Sequence, residues 1–196
     1  SYLFDNLSLG MPISEDGVRI LQHNGMHQTQ LSRLGVETLM SKPVVDSDAH
    51  ILVSISSLIP LKRVDKIIEI LAGLDAGALR WIHFGSGAEA SSLKQLAIKQ
   101  GVQVEWAGHV SNHHVRNWLQ SHAAQALLIN ASKFEGIPVS MMEAMSVGIP
   151  CIGPDVGGVP EIIEDNENGF LMRKEYVVED GRDAIRQFLA KSNKAR

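Results

Sequence analysis

The chain has 196 residues, a length that suits one sizeable domain or one domain with an appended piece. Its net charge of −4 argues against binding to nucleic acid, and apolar runs such as Ala126–Ile129 are too short to cross a bilayer. The single cysteine, Cys151, excludes an internal disulfide and is typical of a reducing compartment. Because no signal-peptide pattern is present, the sequence predicts a cytoplasmic protein.

Residues 1–50 have no clear periodicity. Short apolar pieces at residues 18–21 and 31–36 alternate with polar residues, glycine and proline. The chain begins with Ser-Tyr-Leu and no methionine, which indicates an excised fragment. We therefore treat residues 1–50 as a region separate from residues 51–196, which we expect to form one domain.

From residue 51 onward, predicted strands alternate with predicted helices. The strands are short apolar runs, whereas the helices carry apolar residues at helical spacing, as at Val64, Ile67 and Ile68. The predicted strands span residues 51–55, 79–84, 102–108, 125–130, 150–153 and 169–172. The predicted helices span residues 64–74, 89–101, 112–122, 138–148, 159–165 and 180–192.

Strands that are apolar throughout are typical of a parallel sheet covered on both faces. Right-handed crossovers then give an α/β, doubly wound, Rossmann-like fold. Such sheets bind ligands outside the carboxyl ends of their strands. The loops of interest therefore begin at Ser56, Gly85, Gly108, Ala131 and Gly153.

The loop after the first strand carries two adjacent cations, Lys62 and Arg63, just before a predicted helix. A helix N-terminus is electropositive and offers free amides, so a lysine beside it suits a diphosphate. The alternative is that both side chains are solvated surface charges.

The loop after the second strand matches a G-x-G-x-x-A pattern through Gly85, Gly87 and Ala90. Glu105 follows in the next predicted strand, at about the spacing of a ribose-binding acid in a dinucleotide fold. This pattern favours an NAD-dependent oxidoreductase, although it stands on the second strand unit instead of the first. The glycines alternatively serve a tight turn and close packing.

The third loop places His109 at a strand end, where a lone histidine is more often an ordinary loop residue than a catalyst. None of the eight histidines stands in a cysteine-paired pattern typical of metal ligands, and the sequence predicts no metal site.

The fourth loop contains Glu135 immediately before a predicted helix, and Glu143 lies on the second turn of that helix. The amides of residues 136–140 lie between the two acids and can receive a phosphate, and Gly136 permits close approach. This arrangement suits a molecule with hydroxyl groups at both ends and phosphates between them. Alternatively, Glu135 caps the helix and Glu143 lies on its exposed face, although the surrounding methionines weaken that interpretation.

The segment FEGIPVSMMEAMSVGIPCIGPDVGGVPEII, followed by NGFL, resembles the E-x7-E region of retaining glycosyltransferases of family four, which have the two-domain GT-B fold. The resemblance continues upstream through HFGSGAE, WAGHVSNHHV and SISSLIPLKRVDKIIEIL, and covers residues 51–172. It implies a domain that binds a nucleotide-diphosphate sugar, such as a UDP- or GDP-sugar, without a required metal or other cofactor. Residues 1–50 would then be the tail of an acceptor-binding N-terminal domain and the interdomain connection.

The resemblance also implies roles for individual residues. Glu135 would contact the transferred sugar, Glu143 the ribose hydroxyls and Lys62 the diphosphate, with Lys62 and Glu135 as the catalytic residues. The remaining implied donor-binding residues are Ser57, Gly85, Gly87, His109, Val110, Gly136, Ile137, Pro138 and Val139. Many members of the family have a Gly-Arg pair where this chain has Ser56 and Ser57, which leaves Lys62 more of the diphosphate charge to neutralise.

These observations together predict the donor-binding half of an enzyme that transfers a sugar to a glycan or lipid-linked acceptor in polysaccharide biosynthesis. The complete enzyme is expected to associate peripherally with the inner face of the membrane, and the fragment alone to be inactive. The alternatives are the NAD-dependent oxidoreductase, a nucleotide-sugar epimerase of the same fold and a catalytically inactive binding module.

Overall fold

The computed structural model describes residues 7–38, 50–75 and 79–194. Six strands in this part of the chain form one sheet: β1 Ile51–Ile55, β2 Arg80–Phe84, β3 Glu105–Gly108, β4 Ala126–Ile129, β5 Cys151–Pro154 and β6 Gly169–Met172. The described α-helices are α1 Glu15–His23, α2 Val64–Leu71, α3 Ala90–Lys99, α4 Asn112–His122, α5 Val139–Ser146 and α6 Val178–Lys194. Short 3-10 helices span Pro60–Lys62 and Val159–Glu161.

The sheet is parallel throughout, in the order β3-β2-β1-β4-β5-β6. This order confirms the predicted doubly wound, Rossmann-like fold, because the direction of winding reverses between β1 and β4. Among the described helices, none is both long enough and apolar enough to cross a membrane.

Both faces of the sheet are covered, as the apolar strands predicted. On one face, Leu52 of β1 packs in a core with α2, α3 and α6. On the other, the adjacent Val53 belongs to a second core with α4 and α5. Successive side chains of a strand point to opposite faces, so a strand between two layers of helices is apolar at most positions.

The predicted strands and helices are found, but several of them begin or end at other residues than predicted, because neighbouring residues end a helix. Strand β3 begins at Glu105, since Val102 N–H donates to the Ala97 carbonyl and completes the end of α3. Helix α2 stops at Leu71, two residues before Gly73, which has a φ of 72°. The helix predicted at 159–165 is reduced to the 3-10 turn Val159–Glu161.

Helix α1, which the sequence did not predict, lies within the region interpreted as irregular. Ser14 caps it by accepting a hydrogen bond from Gly17 N–H at 3.0 Å. Glu161 Oε1 then accepts a hydrogen bond from Glu15 N–H at 2.7 Å, and Glu161 Oε2 pairs with Arg33 at 2.6 Å. These contacts hold the start of α1 and Arg33 beside the 3-10 turn that follows β5. The domain boundary placed at residue 50 stays a prediction, and residues 39–49 lie outside the described residues.

Candidate functional site

The loops that follow β1 and β4 meet at the switch point of the sheet, which is the place between these two strands where the direction of winding reverses. The first loop leads through the 3-10 helix to Lys62, and the second contains Glu135. The two side chains form an ion pair, with 2.7 Å between Lys62 Nζ and Glu135 Oε1. Next to the pair, Lys133 N–H donates to the Leu61 carbonyl at 2.9 Å and joins the two loops. The fold therefore brings together the two residues that the sequence assigned to catalysis.

Glu135 is almost fully buried, with 8% of its surface exposed, and is well supplied with donors. Besides Lys62, its Oε1 accepts hydrogen bonds from Ser132 Oγ at 2.6 Å and from Asn130 Nδ2 at 3.0 Å. Burial by itself raises the pKa of Glu135, but the hydrogen bonds from Lys62, Ser132 and Asn130 outweigh it and hold this pKa below the ordinary value. The carboxylate is therefore ionised at neutral pH.

The N-terminus of α5 adjoins this ion pair. Pro138, predicted near the first helical position, is its N-cap and carries no N–H. The N–H groups of Gly136, Ile137, Val139 and Ser140 donate to no group in the described part of the chain. Free amides at the positive end of a helix can receive an anion, and the phosphate site expected in this loop stays a prediction.

Glu143 lies on the second turn of α5 and is half-buried. Its Oε1 accepts a hydrogen bond from Nδ2 of Asn112, the first residue of α4, at 2.9 Å. The carboxylate therefore has a partner between two helices and is not isolated in the apolar core. Asn112 closely follows exposed His109 and partly buried Val110, so the fold places Glu143 near these two residues, which the resemblance also assigned to donor binding.

The two glycines of the G-x-G-x-x-A pattern pack one loop against another. Gly85 has a φ of 141°, and a Cβ there would overlap the carbonyl oxygen of Ser56. A Cβ at Gly87 would likewise overlap the backbone of Leu58. The loop after β2 thus lies directly on the loop after β1 and leaves Ser57 exposed. This geometry agrees with the close-packing role of the glycines.

The position of Glu105 contradicts the dinucleotide interpretation. Glu105 is the first residue of β3, at the amino end of the strand, and its carboxylate pairs with exposed Arg80 at 3.2 Å. Dinucleotide folds hold the ribose at the carboxyl ends of the strands. Glu105 therefore lies at the wrong end of the sheet to bind a ribose beside Gly85 and Gly87.

A cavity of about 690 Å³ beside the edge strand β3 contains none of the residues predicted for the site. Its lining includes Trp81, Val104 and Trp106. The chemistry is instead concentrated at the switch point, where the charged side chains and free amides converge.

Several residues that contact the predicted donor-binding residues were not identified from the sequence. Asn130 and Ser132 directly follow the apolar run of β4, and such polar residues at a strand end were a usable signal. Asn112 lies 31 residues from Glu143 and no local pattern connects them. Gly157 was also missed: it has a φ of 55°, and a Cβ there would overlap the Glu135 carbonyl oxygen.

Comparison with known proteins gives consistent results. Residues 36–196 match the family described as "Glycosyl transferases group 1". The chain is 31% identical over 202 residues to WcaL of Escherichia coli K12, a protein assigned to colanic acid biosynthesis as a glycosyltransferase. It is 27% identical over 186 residues to the amylovoran biosynthesis glycosyltransferase AmsK of Erwinia amylovora. These alignments cover 96% and 86% of this chain but only 48% and 44% of the relatives, so the chain spans about half of their length.

Among solved structures, the fold is similar to Anabaena Alr3699/HepE in complex with UDP and glucose. The TM-score is 0.83 at 20% identity, and the match covers 95% of this chain and 55% of the other. At this identity the similarity concerns the fold, which is found in GT-B glycosyltransferases. The family match covers most of the sequence, and the chain therefore belongs to the group 1 glycosyl transferases.

Proposed function

We propose that this chain is the donor-binding domain of a retaining glycosyltransferase, which transfers a sugar from a nucleotide-diphosphate sugar to a glycan or lipid-linked acceptor. The observation that carries the proposal is the Lys62–Glu135 ion pair at the switch point, next to the free amides of α5. Family membership favours a transferase over both the oxidoreductase and the epimerase.

The diphosphate would lie between Lys62 and the amides at the N-terminus of α5. The amides are fixed before the reaction and Lys62 can turn toward the diphosphate, so together they can stabilise the negative charge that develops on the departing nucleoside diphosphate. Glu135, held at the same end of α5, would accept hydrogen bonds from the sugar hydroxyls and orient the sugar. No metal or other cofactor is needed in this arrangement, because the lysine and the helix end supply the positive charge.

The nucleoside would extend along α5 toward α4. Glu143 would accept hydrogen bonds from the ribose hydroxyls, while its carboxylate is oriented by Asn112. His109 and Val110 would lie beside the base. The nucleotide is proposed to be a UDP- or GDP-sugar, and the presence of UDP in the HepE complex makes UDP the first candidate.

The names of WcaL and AmsK support a role in polysaccharide biosynthesis. A relative about twice as long has room for a separate acceptor-binding domain, and the complete protein is proposed to work in the cytoplasm at the inner face of the membrane. We expect the present chain to bind donor without transferring sugar, because positioning the acceptor supplies a large share of catalysis in such reactions, on the order of 7–11 kcal/mol.

Isothermal titration calorimetry with UDP, GDP and NAD tests the proposal. We expect one nucleoside diphosphate to bind and NAD not to compete with it. Replacing Glu105 by Gln should leave that affinity unchanged, since Glu105 lies at the other end of the sheet. Binding of NAD alone, or a large loss of affinity in Glu105→Gln, would overturn the proposal.

Transfer is tested separately by following nucleotide release from UDP-glucose or GDP-mannose in the presence of an acceptor extract. Turnover by these 196 residues at the rate of an intact enzyme would contradict the expectation that acceptor binding requires a further domain.

A further inference from the structure

Lys62 has two anionic partners in the proposed function, the Glu135 carboxylate and the diphosphate of the donor. Its Nζ pairs with Glu135 Oε1, and with donor bound it is expected to face the diphosphate. The Lys62 side chain is 23% exposed and ends a three-residue 3-10 turn, so it has room to move between the two. Any movement toward the diphosphate weakens the ion pair with Glu135.

Glu135 cannot follow Lys62 into solvent, because it is buried at the base of the loop. A buried carboxylate that loses its cation must keep other hydrogen bonds, or it takes up a proton. Protonation would remove the charge that accepts hydrogen bonds from a sugar. The function proposed for Glu135 therefore depends on donors other than Lys62.

Asn130 and Ser132 are those donors, and both are rigidly held. Asn130 Oδ1 accepts a hydrogen bond from Ser132 N–H at 2.8 Å, which turns its Nδ2 toward Glu135. The backbone N–H of Asn130 donates to the Ile152 carbonyl of β5 at 2.9 Å. Both side chains are buried, at 7% and 1% exposure. They cannot reorient with the ligand as Lys62 can.

The backbone between these two residues is also anchored. Tyr176 Oη donates to the Ala131 carbonyl at 2.7 Å, and burial raises the pKa of Tyr176 to about 12, so the phenol keeps its proton. The backbone of the short loop that carries Asn130 and Ser132 is therefore held by hydrogen bonds at Asn130 and at Ala131.

We propose that Asn130 and Ser132 are positioning residues that keep Glu135 ionised and in place for the sugar while Lys62 binds the diphosphate. The inference rests on the proposed function and divides the three groups that contact Oε1 between two roles. Lys62 is the movable partner, and Asn130 and Ser132 are the permanent ones.

The first experiment removes Lys62 and needs no ligand. The carboxyl pKa of Glu135 is measured by carbon-13 NMR in the wild type and in Lys62→Met, which keeps the length of the side chain. Lys62 is the charged group that contributes to the pKa of Glu135 among the described residues, so the variant isolates the two neutral donors. We expect the pKa of Glu135 to stay within the ordinary range of a glutamate. A pKa near or above neutrality would overturn the inference.

The second experiment separates the sugar from the nucleotide. Affinities are measured for UDP and UDP-glucose, or for GDP and GDP-mannose if the protein binds GDP. Ser132→Ala should lower the affinity for the sugar nucleotide relative to the nucleotide by about tenfold, as for a lost hydrogen bond to a charged group. Ser121→Ala, which removes an exposed hydroxyl bonded to the Asn117 carbonyl, should leave the ratio unchanged.

A double-mutant cycle completes the test. In a Glu135→Gln background, Ser132→Ala should no longer change the ratio, because the charge it serves is absent. A purely structural role would weaken both ligands equally and would contradict the inference. If the wild type binds neither nucleotide, the proposed function fails and the role at the sugar fails with it. A raised Glu135 pKa in Lys62→Met overturns the inference alone.

Discussion

Lys62 and Glu135 are ion-paired across the switch point of the sheet, 2.7 Å apart and separated by 73 residues of sequence. The main cation of the site is thus already engaged by a carboxylate. A diphosphate must therefore compete with Glu135 for Lys62, with the amides of α5 as additional ligands. This relationship sets the first prediction.

Lys62→Ala should weaken binding of a nucleoside diphosphate by about 1.5–3 kcal/mol, the usual contribution of a hydrogen bond to a charged group. Lys66→Ala is the matched control, because Lys66 lies one turn later in α2 and pairs with Glu69 on the helix surface. Calorimetry on both variants measures the difference. Equal affinities in Lys62→Ala and Lys66→Ala would mean that Lys62 is an ordinary surface charge.

Glu143→Gln should weaken UDP or GDP binding by about 1–3 kcal/mol, since a charged acceptor for the ribose hydroxyls is lost. Inorganic pyrophosphate, which has no ribose, should bind this variant as well as it binds the wild type. The same two ligands should both be weakened by Lys62→Ala. A loss of pyrophosphate affinity in Glu143→Gln would argue against a role at the ribose.

His83 predicts a pH dependence of stability. The residue is fully buried, Ser54 Oγ lies 2.8 Å from its Nδ1, and burial lowers its pKa from 6.5 to about 4. As the pH falls, His83 therefore takes up a proton at a higher pH in the unfolded chain than in the folded one. The free energy of unfolding decreases through this interval. From the size of the shift, the loss attributable to His83 between pH 7 and pH 4 is about 3 kcal/mol.

Urea unfolding of the wild type and of His83→Gln at both pH values measures this contribution. The variant should lose less stability on acidification than the wild type, even if it is less stable at pH 7. His27→Gln, at an exposed position, serves as the control and should follow the wild type. An unchanged pH dependence in His83→Gln would show that the imidazole does not determine it.

Arg63 adopts a left-handed backbone conformation, with φ 49° and ψ 42°, immediately after Lys62. A residue with a Cβ is strained there by roughly 1–2 kcal/mol, whereas glycine is not. Arg63→Gly should therefore be more stable to unfolding than Arg63→Ala by about 1 kcal/mol. Both variants lose the ion pair with Asp65, so their difference isolates the backbone. Equal stabilities would show that the loop relaxes without cost.

The type and order of the strands and α-helices from β1 to α6 follow from the sequence alone. Apolar strands without alternation, such as β1 and β4, required helices on both faces, and the alternation of strands with helices then required parallel crossovers. The same reasoning located the important loops, because the carboxyl ends of parallel strands lie on one edge. Helix α1 was missed because it contains few apolar residues. Its first turn is stabilised by the capping residue Ser14 and by Glu161, which is distant in sequence.

Only the tertiary structure decided which side chains meet. Lys62 with Glu135 and Asn112 with Glu143 are contacts between residues far apart in sequence, and they depend on β4 lying beside β1 and on α4 lying beside α5. The end of the sheet at which Glu105 lies likewise depends on the residue at which β3 begins. Local patterns follow from the geometry of a few consecutive residues, whereas these contacts arise when the whole sheet is assembled and separate loops are packed together.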